Sequence, residues 1–287
     1  MEVIIRIYTN IAALTAYEYY KNNSSLLQKS LERLSTGLRI NSASDDPSGL
    51  AIADKLRTQA NSIKQGIANA NNGVSLIQLA DKAMSEQSRI LDIIKSKLIQ
   101  AKTSTTSDEG REFIRNDINK YLIQLDNIAS QTNYNGTVLL QADTNDTNSS
   151  GVLTFQVGES SSDTIKTNKV IQSNTVGLGI ETLKNLAPNS LDSVTAGNWM
   201  SGIDDALNRL NIFRSDFGST QNQLESSVRY MSTMHTNLKA SESVIRDVDY
   251  AQEYAVFNRL KIIMQAGMFA FVQANKVQEN MLKLLFK

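Results

Sequence analysis

From Leu56, every seventh residue through Leu98 is apolar: Leu56, Ile63, Ala70, Ile77, Met84, Leu91 and Leu98. Ala60, Ile67 and Val74 fill the intermediate row as far as Ile77. Beyond it Asp81, Ser88 and Lys95 occupy that row, and Ala80, Ile94 and Ala101 supply apolar side chains on the other flank. No proline lies between residues 48 and 102. A repeat of this period predicts one coiled-coil helix of about 50 residues, on the order of 75 Å long. Such a rod cannot bury its own seam, so it needs a partner of similar length. Far downstream the same step gives Ile203, Leu210, Phe217, Leu224, Met231, Leu238 and Ile245, again without a proline. Each fully buried Leu, Ile or Phe is worth roughly 1.5–3 kcal/mol, which over a dozen positions exceeds a loop-closure cost of about 5 kcal/mol. The predicted fold is therefore mainly α, a long antiparallel bundle or coiled coil of N- and C-terminal segments.

Between the seams the texture changes. Thr103 to Gly110 reads as a turn, and a further helix follows with Phe113, Ile118, Leu122, Leu125 and Ile128 on one face. Short alternating stretches punctuated by Asn-Gly and Ser-Gly then predict one or two β-hairpins over about residues 137–180, with Pro188 in the linker that returns to helix.

The chain ends are apolar without being long enough to form a core. Ile4, Ile7, Ile11 and Leu14 make one stripe, and Tyr254, Phe257, Met264, Met268, Phe271, Met281, Leu284 and Leu285 make the last helix apolar around much of its circumference. Two such arms packed only on each other leave broad apolar surface, so they should order fully only among other copies or a partner. The most apolar window, Ile262 to Ala274, is shorter than the roughly 20 residues of a membrane span, so no membrane insertion is predicted.

Chemistry is sparse. Twenty-nine basic residues balance 29 acidic ones, which leaves no field to draw in nucleic acid. There is no cysteine and a single histidine, His235, on the flank of the second seam, so thiolate sites and His-pair metal motifs are excluded and no cofactor is predicted. Asp45 and Asp46 precede Pro47 at a predicted helix start, where Asp46 serves as N-cap and Pro47 as the first helical residue. Tyr17, Tyr19 and Tyr20 lack a basic surround and read as packing residues between subunits. Asn135-Gly136-Thr137 spells a glycosylation sequon, and the hydroxyls of Thr144 to Ser150 and Ser160 to Ser162 are candidate glycan carriers in polar turns. The start carries no secretory leader pattern.

One segment is far more specific than a hinge requires. Leu34-Ser35-Thr36-Gly37-Leu38-Arg39-Ile40-Asn41-Ser42-Ala43, then Asp45-Asp46-Pro47-Ser48-Gly49 and Ala51-Ile52-Ala53, closely resembles the N-terminal signature of bacterial flagellin. Arg214-Ser215-Asp216-Phe217-Gly218 with Gln221-Asn222, then Arg246 to Ala251, Gln265-Ala266-Gly267 and Gln273-Ala274-Asn275 agree with the family's C-terminal half in order. Asn133 to Leu140 is similar to its turn into the hairpin.

The resemblance implies a non-enzymatic structural subunit that self-assembles into the extracellular flagellar filament for swimming. Residues 1–33 and 250–287 would form an inner tube, 34–47 a linking spoke, and 48–249 an outer helical bundle with its hairpin region. The chain has no room for the variable outer domains of longer flagellins. The implied partners are other copies of the chain, an export chaperone that covers the C-terminal arm before type III export, and the filament cap and junction proteins. Gly37, Arg39, Asn41, Asp45, Asp46 and Pro47 would hold the spoke in one conformation. Ile4, Ile7, Ile11, Leu14, Met264, Phe271, Met281, Leu284 and Leu285 would pack the inner tube or meet the chaperone. The hook–filament junction protein, which shares the helical ends, is the alternative. Departures include Gln223 where arginine is frequent, and no proline in Val277 to Asn280. In many flagellins the stretch aligned with Asp92 to Ile99 carries arginines and a glutamate read by an innate Toll-like receptor. Here Ile93, Lys95 and Lys97 replace that charge pattern, similar to the branch that escapes the receptor.

Overall fold

The longest helix begins where Asp46 and Pro47 predict. Asp46 Oδ1 accepts from the Gly49 N–H at 2.9 Å, and Pro47 opens a 56-residue helix. In this computed structural model residues 9–141 and 151–285 are described, without the side chains of Leu284 and Leu285. The elements run α1 (Ile11–Thr36), α2 (Pro47–Lys102), α3 (Asp108–Gln131), β1 (Asn133–Tyr134), β2 (Thr137–Val138), β3 (Thr154–Gln156), β4 (Thr164–Lys166), α4 (Glu181–Lys184), α5 (Ser193–Arg246) and α6 (Tyr250–Leu285). Ile4, Ile7 and Thr144 to Ser150 lie outside the described residues. The chain divides into two compact units, residues 1–59 with 236–287, and residues 60–235.

In the 60–235 unit both heptad seams are interior. Ile63, Ala70, Ile77, Met84, Leu91 and Leu98 of α2 are buried, as are Ile203, Leu210, Phe217, Leu224 and Met231 of α5. The replacement row of Ala80, Ile94 and Ala101 is wholly buried too, because α2 there is covered on a second side by α3. Contacts fix both pairings as antiparallel. Along α2 and α5, Lys95 pairs with Asp204, Asp81 with Arg214 and Lys102 O with the Ser193 hydroxyl. Along α2 and α3, Lys97 pairs with Asp117 and the Ala101 carbonyl accepts from Arg111. Deeper in, Gln87, fully buried, donates through Nε2 to Leu125 O at 3.2 Å and Ser173 O at 3.1 Å. That one amide ties α2, α3 and the chain before α4 together.

The apolar face of α3 keeps Ile118, Leu122 and Leu125 of the predicted stripe and differs from it at both ends. Ile114, Ile118, Leu122, Leu125 and Ala129 are buried, whereas Phe113 is 72% exposed and Ile128 half-buried. The i, i+4 progression from Ile114 follows a single 3.6-residue stripe, which Phe113 does not join. The β part is also smaller than predicted. Two antiparallel hairpins, β1–β2 and β3–β4, cover residues 133–138 and 154–166, and Lys169 to Ile180 is turns rather than strand. That stretch is held by side chains: Asp216 Oδ2 accepts from the N–H groups of Asn168 and Lys169, and Asp126 Oδ1 accepts from the Thr175 N–H at 2.7 Å. Hydrogen bonds from carboxylates replace a ladder there, a substitution that alternation of side chains does not reveal.

Glycines explain how β3 approaches α2. Gly66 and Gly73 are one heptad apart on α2. A Cβ on Gly66 would run into the Val157 carbonyl oxygen, and one on Gly73 would lie 2.8 Å from Phe155 Cδ1. Asn69, on the same face between them, donates to Gln156 O at 3.2 Å.

Candidate functional site

The unit of residues 1–59 and 236–287 holds the predicted spoke and both terminal helices. α1 stops at Thr36 because Gly37 takes a left-handed φ of 73°, and its N–H donates to Arg33 O at 2.9 Å. The positive φ is what calls for glycine here; the Tyr250 hydroxyl, 2.8 Å from where a Cβ would stand, is the far end of an exposed side chain. The chain then runs against the α5–α6 junction. The Gly37 carbonyl accepts from the Val248 N–H at 3.0 Å, and the Arg39 N–H donates to Arg246 O at 2.7 Å, around a bridge between Leu38 and Asp247. Arg39 adds its side chain, with Nη2 at 2.6 Å and Nε at 3.2 Å from Ile245 O. The last carbonyls of a helix have no intrahelical donor, so this clasp caps α5 with another segment's backbone and a guanidinium.

The remaining spoke residues turn the chain into α2. Asp45 Oδ2 accepts from the N–H groups of Asn41 and Ser42 at 3.2 and 3.1 Å and from the Ser42 hydroxyl at 3.2 Å. The Ser42 N–H first, then Asn41, the Ser42 hydroxyl and Lys29, hold its carboxyl below the usual range, against an opposing contribution from burial. Asn41 Nδ2 donates back to Leu38 O at 3.1 Å, and Ile40 is buried. Gly37, Arg39, Asn41, Asp45, Asp46 and Pro47 are thus brought into one continuous hydrogen-bonded segment. The sequence reading missed its receiving side. Asp249 caps α6, with Oδ1 accepting from Ala251 and Gln252 N–H groups at 2.9 and 3.1 Å, and the Asp-x-x-Gln spacing of 249–252 was the available signal.

α1 and α6 pair antiparallel. Asn10 Nδ2 donates to Ala274 O at 3.0 Å, the Tyr17 and Phe271 rings lie 5.9 Å apart, and Arg33 stands 3.8 Å from Glu253. Despite the pairing, Ile11, Leu14, Tyr19, Leu26 and Leu31 of α1 remain exposed, as do Tyr254, Ile262, Met268, Phe269 and Val272 of α6. Phe271, Met264 and Met281 are half-buried. α6 runs unbroken through Val277 to Asn280, and by length and composition alone Tyr250–Lys283 is long and apolar enough to cross a membrane. Ile93, Lys95 and Lys97 belong to the other unit, with Ile93 exposed and each lysine engaged in an ion pair to α5 or α3. His235 is half-buried on α5.

Residues 7–145 match the family described as the bacterial flagellin N-terminal helical region, and residues 200–285 its C-terminal helical region. The flagellin of Bacillus subtilis is 33% identical over 98% of this chain and 100% of that protein. The chain belongs to the bacterial flagellin family. The flagellar filament 33 kDa core protein of Treponema phagedenis is 32% identical over 96% of this chain and 98% of its own. This flagellin is a structural subunit of the flagellar filament and not an enzyme. A solved structure described as a flagellar hook-associated protein of Vibrio parahaemolyticus shares the fold at TM-score 0.57 and 14% identity, over 70% of this chain and 99% of that one. The hook-junction alternative has less support than the filament, since the sequence likeness runs to flagellins across the whole chain.

Proposed function

We propose that α1 and α6 are the surface through which this flagellin polymerises, with 1–33 and 250–287 forming the inner tube, 34–47 the spoke and 48–249 the outer bundle. The carrying observation is that two already paired helices leave Ile262 66% and Phe269 77% exposed. Burying each such side chain between copies is worth roughly 1.5–3 kcal/mol, and repetition over many neighbours makes assembly favourable where a lone pair is not. Both positions are exposed in the monomer, so Ile262→Glu and Phe269→Glu should leave its circular dichroism and melting unchanged. They should abolish pelletable filaments. Filaments formed by either full-length variant at wild-type concentrations would show that polymerisation uses another surface.

The same apolar face suits an export chaperone before assembly, and the helical ends suit junction and cap proteins at either end of the polymer. Export to the extracellular filament would run through the flagellar type III channel. Loss of a soluble chaperone complex in Phe269→Glu, and cytoplasmic retention of the chain in an export-gate mutant, test these two points. Retained chaperone binding or undiminished export would remove them.

The chain also fits the branch that escapes the innate flagellin receptor. Ile93 replaces a charged fork with an apolar side chain, and Lys97 is drawn to Asp117 at 3.2 Å. A lysine cannot reproduce bidentate guanidinium geometry. Receptor-reporter cells should respond weakly to this flagellin, and stimulation equal to that of an arginine-bearing flagellin would refute evasion.

A further inference from the structure

The tip of the β1–β2 hairpin carries an exposed Asn-Gly pair. Tyr134-Asn135-Gly136-Thr137 reverses the chain with φ of 50° at Asn135 and 83° at Gly136, the successive left-handed residues of a type I′ turn. Asn135, Gly136 and Thr137 are exposed, and no heavy atom lies within 4 Å of the place a Gly136 Cβ would take. The ladder beneath is only two residue pairs long, closed by the Leu139 N–H donating to Thr132 O at 3.1 Å.

We infer that Asn135 is a site of spontaneous deamidation through a cyclic imide. The Gly136 backbone nitrogen gives its proton to solvent and attacks Asn135 Cγ. The N–Cγ bond forms, the Cγ–Nδ2 bond breaks, and Nδ2 leaves with its hydrogens and one solvent proton as ammonia. Water then opens the five-membered ring. Cleavage at Cγ leaves aspartate, and cleavage at the main-chain carbonyl leaves isoaspartate, whose backbone runs through the former side chain. The net exchange is one ammonia lost and one water gained, with no oxidant or reductant.

In the type I′ turn the Gly136 nitrogen stands one peptide flip away from the attacking geometry. Flipping the Asn135–Gly136 peptide converts type I′ into type II′, keeping φ of Asn135 near about +60° and moving its ψ from about +30° to about −120°. That rotation aligns the Gly136 nitrogen with the Cβ–Cγ arm, as ring closure requires, while the flanking strand pairs stay in register. Glycine at 136 brings no side chain to crowd the attacking nitrogen.

The chain contains an internal control. Its other Asn-Gly pair, Asn72-Gly73, lies inside α2, where helical ψ points the Gly73 nitrogen away from the Asn72 side chain and helix hydrogen bonding fixes it. Identical dipeptides should therefore react very differently in the folded protein and alike in the unfolded one.

The test incubates the full chain, folded and in concentrated urea, at neutral pH for days, followed by peptide sequencing that separates aspartate from isoaspartate. In the folded sample residue 135 should convert, with isoaspartate in excess, at a rate about tenfold or more above residue 72; urea should bring the two rates together. Gly136→Ala should slow conversion at 135. Because that variant also strains the turn, Thr137→Ala serves as a second probe: it destroys the sequon, leaves Asn-Gly intact and should convert like wild type. Folded protein that keeps Asn135 intact while the urea sample converts would overturn the inference. Equal rates at 72 and 135 in the folded sample, or a glycan found on Asn135, would do the same.

Discussion

Arg39→Ala tests whether the spoke is a built clasp or a passive hinge. Arg39 sends Nη2 and Nε to the Ile245 carbonyl at 2.6 and 3.2 Å, in the last turn of α5, where carbonyls run out of helical donors. Hydrogen bonds from a charged donor are worth about 1.5–3 kcal/mol, and a cation at a helix C-terminus about 0.3–1 kcal/mol. The Arg39 side chain is exposed, so solvent screening reduces the sum to about 1–2 kcal/mol. The backbone bond from Arg39 N to Arg246 O survives the substitution. The loss should therefore be local, and amide hydrogen exchange is the fitting assay because it reads opening of one segment without requiring two-state unfolding. Protection of the Asp247 and Val248 amides, which donate to Ser243 O and Gly37 O, should fall by a factor of roughly 5–30. Arg39→Lys keeps the charge without the fork and should fall in between. Unchanged protection at both amides in Arg39→Ala would refute the clasp. A fall spread evenly over the whole chain would refute its local character.

Asp46→Ala removes the N-cap of α2 and should cost about 1 kcal/mol, read as lowered denaturant midpoint in urea; Asp46→Asn should recover most of it. Gly66→Ala gains about 1 kcal/mol of helix propensity but drives a methyl into the Val157 carbonyl. The clash should win by about 1–3 kcal/mol, and a more stable variant would mean that β3 does not lie against α2 as described. Glu112 is held down to about 2 from 4.5, first by its hydrogen bonds from Arg115 and then by the Asn189 N–H. A depressed carboxyl contributes stability that is complete above its ordinary value and fades as pH falls from 4.5 toward about 2. Glu112→Gln should flatten the acid limb of the stability profile in that window, and an unchanged limb would remove Glu112 from the account.

What could be read in advance followed from period and end signals. Seven-residue seams and the Asp46-Pro47 start are properties of single helices, so Leu56 to Leu98 and Ile203 to Met231 declared themselves. At about 100° per residue Phe113 lies about 140° from Ile118 and Ile114 only about 40°, so the period itself selects Ile114, and the expectation for Phe113 followed its size rather than its angle. The segment 169–180 was misread because its partners, Asp216 and Asp126, lie about 50 residues away and leave no local trace. Gly66 and Gly73 are the opposite case. Two glycines a heptad apart inside a long helix carry a propensity cost, and a close approach by another segment is the physical reason to bear it. The spoke was legible as a segment, but not its other half at 245–250, since a backbone clasp asks little of the residues that receive it.

Polar side chains inside the α1–α6 pair raise a final question, because burying them lowers stability relative to an apolar layer. Ser30 is 2% and Glu253 9% exposed, and neither the Ser30 hydroxyl nor Glu253 Oε1 has a partner among the described residues. Arg33 reaches Glu253 only at 3.8 Å. Such a layer is best explained as a register device. Apolar stripes as continuous as these slide by a heptad at little cost, whereas sliding Glu253 away from Arg33 places an unpaired carboxylate against apolar neighbours. Glu253→Leu should accordingly leave thermal stability equal or higher while loosening the register. With no native cysteine, disulfide trapping between single cysteines introduced along α1 and α6 reads this directly. In the parent, crosslinks should follow the Tyr17–Phe271 and Asn10–Ala274 alignment, and in Glu253→Leu they should spread to pairs one heptad off. A Glu253→Leu chain that crosslinks only in the parent register would assign alignment to the aromatic and Asn10 contacts instead.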